Sequence, residues 1–272
     1  MEHYMIHILS DSTGETVEAV IRSAIYQFKT NNYRIIKHSY VASAEEIDQI
    51  CRKVAKNEKS LLYYTFVKKE MADYMKEASK RYDIESVDIY SSILNSMSHL
   101  FQQAPIEKPG SNRRLDESYY KRIDAIEFSV MYDDGRDPRG IEKADIILIG
   151  ISRTSKTPLS IYLANKNIKV ANVPLFPESQ PPKELFTINP EKIIGLTNSP
   201  EKLNEIRRER LKSLGMPDQS KYAGRERILE ELEYASDVMA KLGCKVINVS
   251  NKAIEETADI IISYLSTISQ KV

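Results

Sequence analysis

Short apolar runs alternate with segments of helical spacing along most of this chain, and this alternation constrains the fold more than any other feature. Met5–Leu9 has the length of a buried strand, and Val17–Phe28 places its apolar residues at helical spacing. The alternation continues through strands predicted at 33–41, 60–66 and 87–89 and helices predicted at 44–55 and 68–82. Such strand–helix–strand order indicates an α/β fold with a mostly parallel sheet and helices on its faces.

The alternation returns after a segment of different composition. Residues 102–118 contain Pro105, Pro109 and Gly110 among many charges, with little apolar periodicity, which predicts a linker or a long surface loop. Beyond this segment, we predict strands at 144–149, 170–174, 193–197 and 245–249, and helices at 119–128, 158–165, 200–214, 222–242 and 254–268. The chain therefore has two predicted domains, which cover residues 1–104 and 105–272.

Charge, cysteine and hydropathy patterns exclude several functional classes. The chain has 272 residues with 39 basic and 39 acidic side chains, so no global field draws it to nucleic acid or to an anionic membrane. Its two cysteines form no CxxC pair, and its four histidines have no metal-ligand spacing. No stretch approaches the roughly 18 apolar residues of a membrane span, and no signal peptide is evident. These features predict a cytoplasmic protein with no nucleic-acid or membrane partner.

The most informative segment is a predicted buried strand, Asp145–Ile149, that runs into a loop and then into a helix. In that order the helix N-terminus brings unpaired N–H groups and a partial positive charge to the loop, as in phosphate sites. The loop matches the pattern G-x-x-x-x-G-K-[ST], except that a serine replaces the second glycine, and a serine Cβ disfavours a positive φ. The residues that we predict to bind a nucleotide are Gly150, Ile151, Ser152, Arg153, Thr154, Ser155, Lys156 and Thr157.

Four side chains of this loop suit phosphate chemistry. Lys156 would bring a positive charge to the outer phosphates, and the Thr157 hydroxyl is the expected Mg²⁺ ligand. Ser152 and Arg153 are further candidate donors to phosphate. The same segment is also compatible with an ordinary strand-to-helix turn in which Lys156 is solvated. We predict that the second domain is P-loop-kinase-like, and that it follows a parallel-sheet N-terminal domain.

Three other groups of residues have two interpretations each. The turn Ser10–Thr16 could hold a phosphate, or Thr13 or Thr16 could cap the following helix while Gly14 eases the turn. Asp133 and Asp134 could take a hydroxyl proton or hold Mg²⁺, or they could serve an ordinary Asp-Asp-Gly turn. One predicted helix carries three arginines among glutamates, and these could form a solvated face or include a phosphate-facing side chain. The arginines are Arg207, Arg208 and Arg210.

Several segments, in their order and spacing over essentially the whole chain, resemble the bacterial pyruvate, phosphate dikinase regulatory proteins. These segments are Ile8–Thr16, Asp133–Gly135, Gly150–Pro158, Ala171–Pro174, Arg207–Leu211 and Ala253–Ala258. Proteins of this family are bifunctional. They use ADP as donor to phosphorylate a threonine beside the catalytic phosphohistidine of the dikinase, which inactivates it. They also remove that phosphate with inorganic phosphate as acceptor, which releases pyrophosphate.

The resemblance implies several properties of this chain. The ADP-binding loop of the family corresponds to Gly150–Thr157, and the family shares the serine at the second glycine position. Lys156 would neutralise charge on the transferred phosphoryl group, Thr157 would hold Mg²⁺, and Asp133 or Asp134 is our hypothesis for the base. The expected protein substrate is pyruvate, phosphate dikinase, and the expected assembly is a homodimer. A sister branch acts on phosphoenolpyruvate synthase, and a small-molecule kinase or a nucleotide-sensing module are further alternatives.

Overall fold

The computed structural model of this protein describes residues 3–111, 116–135, 137–215 and 221–269. The chain divides into two compact units, Met1–Arg114 and Leu115–Val272. Each unit contains a four-stranded sheet in which every described strand pairing is parallel. The predicted α/β class is confirmed. Residues 112–115 of the predicted linker lie outside the described part, and so does residue 136, next to the Asp-Asp-Gly segment.

The first unit alternates strands and helices along the chain. The elements are β1 Tyr4–Ser10, α1 Glu15–Ile25, β2 Tyr33–His38, α2 Ala44–Val54, β3 Ser60–Thr65, α3 Lys69–Arg81, β4 Ser86–Asp88 and α4 Ser91–Phe101. The strands form a sheet of order β2-β1-β3-β4 with helices on both faces. Side chains alternate between the faces, so Leu9 and Leu62 face α2 and α3 while Ile8 packs with the buried residues of α1.

The second unit has the same kind of sheet. Its strands are β5 Ile146–Gly150, β6 Val170–Pro174, β7 Ile193–Thr197 and β8 Lys245–Asn248, in the order β6-β5-β7-β8. The helices are α5 Glu117–Met131, α6 Arg139–Lys143, α7 Lys156–Ala164, α8 Pro200–Ser213, α9 Arg225–Leu242 and α10 Ile254–Ser269, with short 3-10 helices at Asp133–Gly135, Lys183–Phe186, Pro190–Lys192 and Lys221–Ala223.

Strand β5 is the buried centre of this sheet. Ile147 and Ile149 pack with buried residues of α5, α8 and α9, and Ile146 and Leu148 pack with those of α7 and α10. Strand β5 is therefore buried along its whole length, as expected for a parallel strand covered on both faces.

The first helix differs from its prediction at its C-terminal end. Val17 and Ile21 are buried as expected, but α1 stops at Ile25, and Phe28 is 69% exposed beyond it. Val20, which the helical spacing also assigned to the apolar face, is 46% exposed. The apolar face of α1 is therefore narrower than its periodicity suggested, because only the residues directly above the sheet are covered.

Candidate phosphate-binding site

The predicted phosphate loop joins the carboxyl end of β5 to the start of α7. Strand β5 has β6 on one side and β7 on the other, so successive connections leave it in opposite directions. A crevice opens outside the carboxyl ends of the strands at such a switch point, and ligands of open α/β sheets bind there. The topology therefore places the loop where a ligand is expected.

Three residues of the loop have positive φ angles. Gly150 has φ 154°, and a Cβ added there would lie 2.5 Å from the Leu196 carbonyl oxygen, so this position accepts only glycine. Arg153 and Ser155 are left-handed, with φ 72° and 61°. Ser155 thus adopts the conformation that the second glycine of the pattern would supply, despite its Cβ. Residues that alternate in this way form a concave nest of backbone N–H groups that suits an anion.

Two carbonyl groups of the loop accept hydrogen bonds from side chains. The Ile151 oxygen accepts bonds from Thr154 Oγ1 and Lys156 Nζ, both at 2.9 Å. The Ser152 oxygen accepts a bond from Arg207 Nη2 at 3.4 Å. In a trans peptide the C=O and the following N–H point in opposite directions. The N–H groups of Ser152 and Arg153 therefore point away from these donors.

Lys156 is buried, with 6% of its surface exposed, which contradicts the alternative of a solvated lysine. Burial lowers the pKa of its ammonium group to about 8, although the carboxylates of Asp134 and Asp133 act in the opposite direction. An ammonium group held in a poorly solvated position interacts strongly with an added phosphate. The first residue of α7 is therefore a charge placed for an anion in the crevice.

The structure brings Asp133 and Thr157 together. Thr157 Oγ1 donates to the Asp133 carboxylate, at 3.1 Å from Oδ1 and 3.2 Å from Oδ2. Asn172 Nδ2 donates to Asp133 Oδ1 and lies 3.2 Å from Thr157 Oγ1. Asp134 has a different position: it is left-handed at φ 57° and its side chain is exposed. Of the two predicted carboxylates, only Asp133 is thus directly bonded to the helix that begins at Lys156.

Asn172 is a site residue that the residue patterns did not single out. It is fully buried in the middle of β6, an otherwise apolar strand, and its Oδ1 has no hydrogen-bond partner among the described residues. A polar residue in such a strand was the available signal, but only the fold shows that it meets Asp133. Carboxylate, hydroxyl and amide oxygens are the hard ligands that Mg²⁺ prefers, so Asp133, Thr157 and their surroundings fit this ion.

Of the three arginines of α8, Arg207 fits neither interpretation made from the sequence. Arg207 is neither solvated nor facing the crevice: it is fully buried and pairs with Glu231 of α9, with Nη2 2.5 Å from Oε2. The helical pattern could not show this partner, because Glu231 lies 24 residues away on another helix. Arg208 and Arg210 are exposed, as a solvated face predicts.

In the first unit, the turn Ser10–Thr16 lines a cavity of about 380 Å³ together with Lys108 and Tyr90. The expectation that Thr13 or Thr16 occupies the N-cap position is wrong, because Gly14 is the N-cap residue of α1, left-handed at φ 73°. A left-handed residue thus precedes the first helix of this unit, as Ser155 precedes α7 in the second.

This chain is similar to known proteins over nearly its whole length. The model of the kinase/pyrophosphorylase family matches residues 6–262. A protein of Alkaliphilus metalliredigens named "Putative pyruvate, phosphate dikinase regulatory protein" is 52% identical over 96% of this chain and 94% of its own length. Proteins with the same name from Clostridioides difficile and Staphylococcus aureus strain Newman are 50% and 48% identical over the whole of this chain, and over 97% and 100% of their own lengths.

The described residues include no helix with the length and apolar character needed to cross a membrane.

The match to the family model spans both units, and the relatives are similar over nearly their full lengths. The resemblance stated from the sequence is therefore confirmed. This chain belongs to the kinase/pyrophosphorylase family.

Proposed function

We propose that this chain is a bifunctional regulator of pyruvate, phosphate dikinase. It transfers a phosphoryl group from ADP to a threonine of the dikinase, and it removes that group with inorganic phosphate, releasing pyrophosphate. The observation that carries the proposal is the buried Lys156 ammonium group of the phosphate loop, next to the hydrogen-bonded side chains of Asp133 and Thr157. The names of the relatives support the choice of protein substrate.

The forward reaction assigns a role to each part of the site. The threonine oxygen attacks the β-phosphorus of ADP, the new O–P bond forms, and the bond to the AMP oxygen breaks. The nest of residues 150–157 binds the phosphates, and Lys156 neutralises the charge that develops on the transferred group. Asp134, which is exposed near Lys156, takes the threonine proton.

Asp133 and Thr157 would hold Mg²⁺, with Asn172 fixing the Asp133 carboxylate through its amide. When bound, this ion would neutralise phosphate charge and orient the nucleotide. In the reverse reaction an oxygen of inorganic phosphate attacks the phosphothreonine phosphorus. The P–O bond to threonine breaks, pyrophosphate leaves, and the threonine oxygen regains a proton.

A donor test checks the proposal. The dikinase in its phosphohistidine form is incubated with this protein and with ADP or ATP, each carrying a labelled β-phosphate or γ-phosphate respectively, and label on threonine is measured. We expect label from ADP. The Lys156→Ala variant should label at least about a hundredfold more slowly, because it lacks the charge at the transferred group. The exposed Lys166, two residues beyond the end of α7, provides the matched control Lys166→Ala, which should keep the wild-type rate.

Other outcomes would identify the alternatives. Label on phosphoenolpyruvate synthase but not on the dikinase would assign the chain to the sister branch. Label only from ATP, on a small molecule, would indicate a small-molecule kinase. Nucleotide binding without any transfer would indicate a sensing module, and each of these results contradicts the proposal. The homodimer that the resemblance implies stays a prediction.

A further inference from the structure

One arginine of α8 contacts the phosphate loop on its carbonyl side, opposite the N–H groups of the nest. Arg207 is fully buried, and its guanidinium group reaches three separate acceptors. It donates to the Ser152 carbonyl at 3.4 Å, to the Tyr222 carbonyl at 2.9 Å, and to Glu231, with the shortest contact at 2.5 Å. The same side chain therefore connects the loop, the Tyr222 segment and α9.

The contact with Ser152 fixes the direction of a loop N–H group. The peptide bond between Ser152 and Arg153 is trans, since the described chain contains no cis peptide. Its N–H therefore points opposite to the carbonyl that Arg207 holds. Arg153 is left-handed, so this N–H belongs to the nest described above. Arg207 thus holds the carbonyl group of the same peptide bond whose N–H group belongs to the nest.

The Tyr222 segment adds a second connection to the same part of the loop. The guanidinium carbon of Arg207 lies 4.6 Å from the centre of the Tyr222 ring. The Tyr222 hydroxyl lies 3.2 Å from Ser152 Oγ and accepts a hydrogen bond from Arg153 Nε at 3.2 Å. Arg207 therefore holds the backbone of Ser152 directly, and it holds the side chains of Ser152 and Arg153 through Tyr222.

Stability alone does not account for this arrangement. A buried ion pair is often no more stabilising than an apolar pair of the same volume, because two charges lose their hydration. Arg207 Nε is also buried without a hydrogen-bond partner among the described residues, which is a further cost. What the arginine supplies is geometry, since a planar guanidinium group donates in several fixed directions and an ammonium group does not.

We propose that Arg207 is a positioning residue for phosphoryl transfer: it orients the Ser152–Arg153 peptide so that the Arg153 N–H faces the phosphates. Arg207 does not touch the nucleotide. Glu231 and Tyr222 complete the arrangement by holding Arg207 and the outer side of the loop. The inference rests on the proposed function only in that it takes the bound anion to be a nucleotide phosphate.

The test uses Arg207→Lys in the full-length protein, because lysine keeps the charge beside Glu231 but cannot reach all three acceptors. Amide hydrogen exchange over residues 151–155 is measured by mass spectrometry, and the affinity for fluorescent ADP with Mg²⁺ is measured by titration. We expect faster exchange in this segment and about tenfold weaker binding, the size of one well-placed hydrogen bond to a charged group. The matched control is Arg210→Lys, on the exposed side of the same helix, which should change neither quantity.

The two measurements separate this inference from the proposed function. A wild-type protein that binds no ADP would contradict the proposed function, while the exchange result would still decide the role of Arg207. Unchanged exchange and unchanged affinity in Arg207→Lys would overturn the inference. If that variant does not fold, Tyr222→Phe tests the same connection, because it removes only the hydroxyl between Ser152 and Arg153. Faster exchange and weaker binding in Tyr222→Phe would support the inference, and wild-type values would overturn it.

Discussion

Asp133 and Asp134 are adjacent in the sequence, but their side chains have different surroundings. Asp133 accepts hydrogen bonds from Thr157 and Asn172, so its oxygens are directed at the start of α7. Asp134 has a left-handed backbone conformation and an exposed side chain, which a side chain of an incoming protein could reach. The sequence could not divide the roles of base and metal ligand between them, because that division depends on contacts with residues on α7 and β6.

We predict that the two carboxylates have separable roles. Asp134→Asn should slow threonine phosphorylation by about a hundredfold and leave ADP binding intact, because it removes only the base. Asp133→Asn should remove the strengthening of ADP binding by Mg²⁺, because it removes the charged metal ligand. Transfer rates and ADP titrations with and without Mg²⁺ check both statements. If Asp134→Asn weakens Mg²⁺-dependent binding and Asp133→Asn does not, the assignment is wrong.

Ser155 separates what the loop pattern could predict from what it could not. The pattern located the loop, but the serine counted against a positive φ at that position. The structure gives Ser155 φ 61°, so the backbone conformation of the pattern is kept without its glycine. Single-residue preference was overridden here by the surrounding loop, in which the side chains of Thr154 and Lys156 hold the Ile151 carbonyl.

Strands β1 and β2 carry a pair of stacked histidines, one on each strand. The rings of His7 and His38 lie 5.5 Å apart with planes at 8°, and His7 Nδ1 is 3.2 Å from His38 Nε2. Burial lowers the pKa of His7 to about 4, and the neighbouring His38 contributes. Burial also lowers the pKa of His38, with a smaller contribution from Lys53. Both rings are therefore neutral in the folded protein near neutral pH.

This pair predicts acid sensitivity of the first unit. The unfolded chain binds a proton at His7 near pH 6.5, but the folded chain does so only near pH 4. The free energy of unfolding should therefore be highest above about pH 6.5 and should fall as the pH drops towards 4. The neutral His7 ring accounts for up to about 3 kcal/mol of this loss. Urea unfolding at several pH values measures the loss. His7→Gln should reduce it and the exposed His99→Gln should not, whereas equal losses in all three proteins would exclude His7 as the cause.

Secondary-structure elements were predictable where their apolar pattern coincides with burial. The eight strands of the described residues lie at the predicted places, because each coincides with a short apolar run. Six of them contain buried residues, whereas β2 and β4 contain none. Helices α4 and α6 were not predicted. Helix α4 has no buried residue and exposes Ile93, Met97 and Leu100. Helix α6 buries Ile141, but its five residues are too few to show a helical repeat of apolar residues.

The site was predictable only in its local part. The loop Gly150–Thr157 is continuous in sequence, and the strand before it and the helix after it are predicted from the neighbouring residues. Its other contacts join distant residues: Asp133 and Thr157 are 24 apart, and Ser152 and Arg207 are 55 apart. No local pattern reports such pairs, because they depend on how β5, β6 and α8 are arranged in the folded unit.

At the scale of the whole molecule, each apolar core belongs to one unit. Among the described residues, the four clusters of buried apolar residues lie either within Met1–Arg114 or within Leu115–Val272. The predicted boundary after residue 104 and the observed division both fall between α4 and α5. The described contacts of the phosphate loop with Asp133, Asn172 and Arg207 are all inside the second unit.

We therefore predict that residues 115–272 fold alone and bind ADP. A domain of this size buries about two-thirds of its unfolded surface, which is enough for independent stability. The fragment should unfold cooperatively and bind fluorescent ADP within about tenfold of the full chain, since the loop keeps its described contacts. Circular dichroism and titration are the measurements, with Lys156→Ala in the fragment as control. A fragment that folds but binds no ADP would show that the first unit contributes to the nucleotide site.

The parallel pairing in both sheets also sets the order in which the molecule is completed during synthesis. Parallel neighbours cannot form as local hairpins, because each pair requires a crossover connection before its hydrogen bonds can form. The first unit can leave the ribosome and fold while the second is still being made. The loop at residues 150–157 is synthesised before Arg207, which holds the Ser152 carbonyl, and before Glu231, which holds Arg207. A nascent chain therefore contains the phosphate-loop sequence well before it contains a formed phosphate site.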